Sequence, residues 1–308
     1  MPSVRDLIEP GTQLEIVAEG FTYTEGPVWD WANGRLLFHD IPADRRYSWS
    51  EDAGLELVAT PTGKGNGMAI DGEGRVVICE SGFNRVVRLE GDGSEVVLAE
   101  RFGGAALNSP NDVIVARNGD IYFTDPTYGR IPVYGEERAA ELDFTGVFRI
   151  PASGGGLELL ATECEQPNGL VLSPDESRLY VDDCENGTIW RFELEDRRVV
   201  ERGIWLADAG AALPFARAAS NDLLSGYVDG MGCDERGNVY VTSVGGVLAI
   251  APDGTKLGTI ELPEDVSNFT WGGEAGKDLF VACRSFVGRL QMAVAAAADL
   301  RRDAGAGG

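Results

Sequence analysis

Asn168-Gly169-Leu170-Val171-Leu172, then the turn Pro174-Asp175-Glu176-Ser177, then the apolar run Leu179-Tyr180-Val181, is one copy of a pattern written six times along this chain. Each copy opens on a polar, oxygen-bearing residue, passes through a small or turn-compatible residue and enters an apolar strand. The other five begin Glu25-Gly26-Pro27-Val28-Trp29, Asn66-Gly67-Met68-Ala69-Ile70, Asn111-Asp112-Val113-Ile114-Val115, Asp229-Gly230-Met231-Gly232-Cys233 and Asn268-Phe269-Thr270-Trp271-Gly272. Turns such as Asn33-Gly34, Gly72-Glu73-Gly74 and Asn118-Gly119 follow, where Asn and Gly tolerate the positive φ of tight hairpins. Second and third apolar runs come next, as in Val76-Val77-Ile78-Cys79 and Val86-Val87-Arg88-Leu89, and most copies add a fourth. Short β-rich runs between turn signals, with no long helical period before the C-terminal tail, exclude a helical fold.

Four strands per unit and six units predict an all-β fold, a six-bladed β-propeller. Successive lead residues lie 41, 45, 57, 61 and 39 positions apart, so units three and four carry insertions, about residues 126–145 and 206–226. Unit six has no clear fourth strand. Residues 13–18 are expected to supply it, closing the ring and removing two exposed sheet edges. Residues 1–292 then form one propeller domain. The Ala- and Gly-rich residues 293–308 are expected to be a tail, as a short helix or a frayed end.

A net charge of −24 argues against nucleic acid as a partner, which needs clustered Lys and Arg. The same charge draws cations toward the protein. No apolar stretch reaches membrane-spanning length and no basic-then-apolar leader is seen, so no membrane partner and a cytoplasmic location are expected. The five cysteines have no metal-site spacing; Cys79, Cys233 and Cys283 read as buried thiols, and a Cys164–Cys184 pair stays open.

His39 is the only histidine, so a His-rich zinc site is impossible and any Ser-His-Asp triad must use it. It stands at a strand end whose equivalents are Cys79, Thr124, Asp182, Thr242 and Ala282, which favours a structural role. Nucleotide-binding and Gly-x-Ser-x-Gly signatures are missing. What remains is the ring of lead residues. Two carboxylates, Glu25 and Asp229, with the amides of Asn66, Asn111, Asn168 and Asn268 as candidates, suit Ca²⁺, which takes about 6–8 oxygen ligands. One divalent cation is therefore the expected cofactor, Ca²⁺ first, with Zn²⁺, Mg²⁺ or Mn²⁺ as alternatives. Strand ends 14 or 15 residues beyond the leads bring Asp40, Glu80, Asp125 and Asp183 toward the same face.

Glu25-Gly26-Pro27-Val28-Trp29, Asn108-Ser109-Pro110-Asn111-Asp112-Val113, Thr124-Asp125-Pro126-Thr127-Tyr128-Gly129, Gln166-Pro167-Asn168-Gly169 and Asp229-Gly230-Met231 together resemble the gluconolactonase, senescence-marker-protein (regucalcin) and luciferin-regenerating-enzyme family. The resemblance covers about residues 13–292. It implies a six-bladed propeller with a divalent metal in its channel, held by Glu25, Asn168 and Asp229, with Asn111 as ligand or substrate contact and Asp229 as general base. Asn66, Asp125 and Tyr128 are expected at the substrate, Asp125 as a hydroxyl acceptor. One departure stands out. Animal members place a substrate-contacting arginine two residues before the Asn111 position, where this chain has Ser109; Arg130 and Arg138 in the unit-three insertion are candidates to replace it.

The implied reaction is hydrolysis of a lactone ring, a sugar (aldono)lactone such as gluconolactone, through a metal-polarised carbonyl and an Asp229-activated water. A small-molecule lactone is the expected partner. Two other readings stay open: a metal-dependent phosphotriesterase and a non-catalytic calcium-binding propeller.

Overall fold

In the computed structural model, which describes residues 3–213 and 227–297, the repeats become six four-stranded antiparallel sheets. Blade one is Thr24–Asp30, Arg35–Asp40, Arg45–Ser50 and Gly54–Ala59; blade two is Gly65–Ile70, Val76–Glu80, Arg85–Leu89 and Glu95–Ala99. Blades three, four and five begin with Val113–Val115, Pro167–Leu172 and Met231–Cys233 and end with Glu158–Ala161, Arg198–Leu206 and Lys256–Glu261. Blade six is Val266–Gly272, Asp278–Cys283 and Phe286–Gln291, with Glu15–Glu19 paired antiparallel to its outer side. Sequence-order neighbours pair in every blade except at that closing strand, so each blade is a meander whose first strand lines the channel.

Four of the six lead residues sit at irregularities in those first strands, while Asn111 and Asp229 stand just before theirs. The register slips between Glu25 and Val28, Gly65 and Met68, Pro167 and Leu170, and Val266 and Asn268. A bulge inserts backbone on one strand and re-aims the local side chain. The small residue after the lead has a further purpose. A Cβ at Gly26 would lie 2.0 Å from the Asn66 carbonyl oxygen, and one at Gly169 would lie 1.9 Å from that of Asp229. Each belongs to the next blade, so glycine here lets neighbouring blades meet at the axis. Amide bonds tie the same seam: Gly67 donates to Asn111 at 2.8 Å and Gly230 to Ser267 at 2.8 Å.

Side chains lock the blades together one strand further out. Thr124 Oγ1 donates to the Asn168 carbonyl at 2.6 Å, and His39 Nδ1 lies 2.8 Å from that of Asn66. The closing seam has Thr24 Oγ1 on Cys283 and Ser267 Oγ on Thr24, both at 2.5 Å, with Trp29 stacked on Phe280 at 5.0 Å between ring centroids. Apolar burial is divided among clusters that straddle blade pairs, as expected of an array in which each unit buries its face on its neighbour.

The chain beyond the last strand departs from the expectation of a helix or a frayed end. Val294, Ala295, Ala296 and Ala297 are buried and not helical. Ala293 N–H donates to Leu7, and Ala297 N–H donates to Cys233. Small side chains let this segment lie flat across blades five and six. Residues 298–308 and part of the second insertion, 214–226, fall outside the described residues. All five cysteines are buried free thiols, Cys164 and Cys184 included.

Candidate metal centre and active site

At the end of the channel where the bulges lie, four carboxyl groups are brought together: Glu25, Asp112, Asp182 and Asp229, all at most 9% exposed. Their charges act on one another. Burial, and then Asp112, push Glu25 up to about 8; burial pushes Asp112 up to about 7. Asp182 and Asp229 are raised well above the usual carboxylate range by burial, and Asp229 further by Glu25, Asp182 and Asp112. Among the described residues, no cationic side chain is among the main groups acting on any of the four.

Hydrogen bonds fix the geometry. Glu25 Oε2 accepts from Gly26 N–H at 2.6 Å and from Asn268 Nδ2 at 3.1 Å. Asp112 accepts from Val113 N–H at 2.9 Å and from the amide of Leu170 in the next blade. Asp182 Oδ2 accepts from Gly169 N–H at 2.8 Å, leaving Oδ1 without a partner. Asn168 donates its amide to the Asp229 carboxylate, and its own Oδ1 is buried with no partner. An orphaned amide oxygen costs about 1–3 kcal/mol unless something accepts its lone pair. Oxygen donors, excess negative charge and an unsatisfied oxygen together fit a hard divalent cation. Among the described residues no three Asp, Glu, Cys or His groups could hold a metal by themselves, so the set needs the Asn168 oxygen beside Glu25 and Asp229.

Several expected site residues are placed elsewhere. Asp125 is fully buried, with Oδ2 accepting from Asn108 N–H at 2.8 Å and Oδ1 from Ser109 N–H at 2.7 Å. Asp40 does the same for Thr22 and Tyr23, and Asp183 for Glu165 and Gln166. These are caps that fold the approaching loop onto its blade, so Asp125 is not open to a substrate hydroxyl. Tyr128 donates its hydroxyl to Leu213 at 2.9 Å and packs with Ile131 and Cys184, which fastens the blade-three insertion. Asn66 and Asn111 do reach the axis, where their carbonyls accept from His39 and Gly67.

The arginines of the insertion are engaged around Asn108, although the Nε of each is buried without a partner among the described residues. Arg130 Nη2 holds Asn108 Oδ1 at 2.5 Å, and Arg138 Nη2 holds the carbonyls of Asn108 and Ser81 at 2.6 and 2.9 Å. His39 is fully buried, with burial depressing it to about 3. It is a neutral imidazole that donates from Nδ1 and keeps Nε2 unprotonated, the role Thr124 has two blades on.

Asp112 and Asp182 were not among the expected site residues. Asp182 left a trace: a carboxylate at a buried strand register whose equivalents are Cys79, Thr124, Thr242 and Ala282. Tyr23, Tyr134 and Tyr227 were also missed. The Asp229 charge acts on all three phenols, with Glu25 acting on the first two. On the other side of the ring the channel widens into a cavity of about 330 Å³ between Trp31, Met68, Ile70, Ile114 and Trp271. Its lining is mainly apolar and includes Asp112 and Asn268, which also belong to the acidic cluster.

Fold and site together define a six-bladed propeller with a buried acidic, oxygen-lined channel. Residues 23–285 match the SMP-30/Gluconolactonase/LRE-like region, and the chain belongs to that family. It is 30% identical to a gluconolactonase of Zymomonas mobilis over 94% of this chain and 84% of the relative. It is 25% identical to a pentonolactonase of Haloferax volcanii, over 88% of this chain and 84% of that one. The solved structure of a gluconolactonase from Xanthomonas campestris superposes with a TM-score of 0.84 at 32% identity, covering 95% of this chain and 93% of the other.

Proposed function

We propose that this protein hydrolyses the ring ester of a sugar (aldono)lactone, using one divalent cation, Ca²⁺ first, held by Glu25, Asn168 and Asp229. The observation that carries the reading is the orphaned Asn168 oxygen beside two buried carboxyls with no cationic partner. The gluconolactonase and pentonolactonase relatives supply the substrate class.

A bound divalent cation supplies Lewis-acid polarisation of the lactone carbonyl. The chain's own groups do the rest. Asn168 holds the Asp229 carboxylate in one orientation through its amide. Asp229 takes a proton from a water whose oxygen bonds to the carbonyl carbon. The bond from that carbon to the ring oxygen then breaks, and Asp229 returns the proton to the leaving oxygen, giving an open-chain hydroxy acid. Glu25, pinned by Gly26 and Asn268, stays fixed and adds negative charge. His39, depressed to about 3, carries no proton at neutral pH.

A pH-indicator assay over a panel of aldonolactones, with and without chelator, tests this. Wild type should release acid from at least one lactone, lose that activity in chelator and regain it with calcium. Asp229→Asn should lose about 100-fold or more in kcat. Calcium binding without turnover of any lactone would overturn the reading in favour of a calcium-binding propeller. Turnover of a phosphotriester alone would replace it with a phosphotriesterase.

A further inference from the structure

Tyr23 and Tyr227 share a register: each stands two residues before an acidic lead residue, Glu25 and Asp229. The Asp229 charge acts on both phenols, and that of Glu25 on Tyr23, so both stand beside the acidic end of the channel. The same register in the other blades holds Lys64, Ser109, Gln166 and Val266. Three of these are engaged and the fourth is apolar. Lys64 Nζ donates to the carbonyls of Ile41 and Pro42. Ser109 Oγ donates to Pro126 and accepts from Gly129. Gln166 exchanges both amide atoms with Thr127.

Tyr134 completes the set from the blade-three insertion. Its ring meets that of Tyr23 edge-on at 5.4 Å between centroids. It also packs, with Tyr227, on the cluster that contains Ile131, Cys184 and Leu213. All three are only partly buried, and none of their hydroxyls is hydrogen-bonded to another described residue. Three tyrosines from three separate segments, with hydroxyls that no described residue engages, stand beside the acidic end of the channel.

We infer that Tyr23, Tyr134 and Tyr227 form the specificity wall of the site, with their rings against the C–H face of a lactone and their hydroxyls on its ring hydroxyls. This rests on the lactonase reading and deepens it. The selected substrate is a polyhydroxylated lactone rather than an aliphatic one. The wall replaces the arginine that Ser109 cannot supply, since Ser109 is fully buried and committed.

The test compares glucono-δ-lactone with δ-valerolactone, which has the same reactive ester and no hydroxyls. The wild-type ratio of kcat/KM should favour the sugar lactone. Tyr23→Phe, Tyr134→Phe and Tyr227→Phe keep the ring, and each should lower that ratio about tenfold, mainly through KM for the sugar lactone. Tyr47→Phe, on the third strand of blade one, should leave both rates unchanged. A merely structural role would lower both substrates together and leave the ratio fixed. A ratio unmoved in all three variants overturns the inference and leaves the lactonase reading standing. No turnover of either lactone, or of the wider panel, by wild type overturns both.

Discussion

Replacing Glu25 by Gln should raise the stability of the calcium-free protein while weakening its hold on calcium. In the unfolded chain this carboxyl ionises near its ordinary value of 4.5, but in the folded channel burial and Asp112 move it to about 8. A raised carboxyl pKa costs stability as pH rises: below the unfolded pKa both states hold the proton, and above it only the folded state does. At about 1.36 kcal/mol per unit, the cost is about 2 kcal/mol at pH 6 and about 4 kcal/mol at pH 8. Gln keeps the shape and can still accept from Gly26 and Asn268, yet carries no such cost. In chelator at pH 8, Glu25→Gln should therefore melt several degrees above wild type, taking about 2 °C per kcal/mol for a large domain. The gap should narrow toward pH 5. Calcium should reverse the order, raising wild type by RT ln(1 + [L]/Kd) and the variant by much less. Scanning calorimetry with and without calcium at the two pH values reads all of this. Equal melting in chelator at pH 8, with equal calcium stabilisation of both proteins, would refute a buried, metal-seeking Glu25.

Other consequences are quickly checked. His39→Ala should leave kcat within about twofold, because the imidazole only bridges to Asn66. It should lower stability by about 1–3 kcal/mol, read by denaturant unfolding, through the stranded Asn66 carbonyl and the space left behind. With His39 depressed to about 3, its protonation should add no inflection to the rate profile between pH 5 and 8. Gly169→Ala drives a Cβ to 1.9 Å from the Asp229 carbonyl, so the blade-four to blade-five seam must open. Calorimetry should show calcium affinity falling even if circular dichroism keeps the β signature. Asp182→Asn removes a buried charge that raises Asp229, so the acidic limb of the kcat/KM profile should move to lower pH.

The propeller was legible because its information is local and repeated. Turn residues and apolar runs mark each hairpin, and six copies leave little freedom in how they stack. The strand at Glu15–Glu19 also left a trace, as an unpaired apolar alternation before the first lead residue. The end of the chain did not: Ala-rich sequence carries no period, and it is contacts with Leu7, Cys233, Glu235 and Gly276 that hold residues 293–297 in place. The glycines after the leads were legible as small residues but not for their reason. At Gly169 no positive φ is needed, and the constraint is a neighbouring blade that sequence spacing cannot reveal.

The site divides along the same line. That Glu25, Asn168 and Asp229 share a register could be read from the sequence, because register is what a repeat displays. Asp125 and Tyr128 share a motif instead, and motif membership says nothing of direction: one turns back to cap Asn108 and Ser109, the other to hold Leu213. Tyr134 carries no register at all, since it belongs to an insertion that no other blade has. A symmetric ring can therefore specify where a cation sits, because six equivalent positions converge on one axis. It cannot specify which lactone enters, because selectivity needs groups that differ from one side of the channel to the other. Those come from the asymmetric parts of the chain. Tyr134 stands on the blade-three insertion, and Tyr227 stands where the chain returns to blade five. Changing the insertion should therefore change substrate choice while the ring continues to bind its cation.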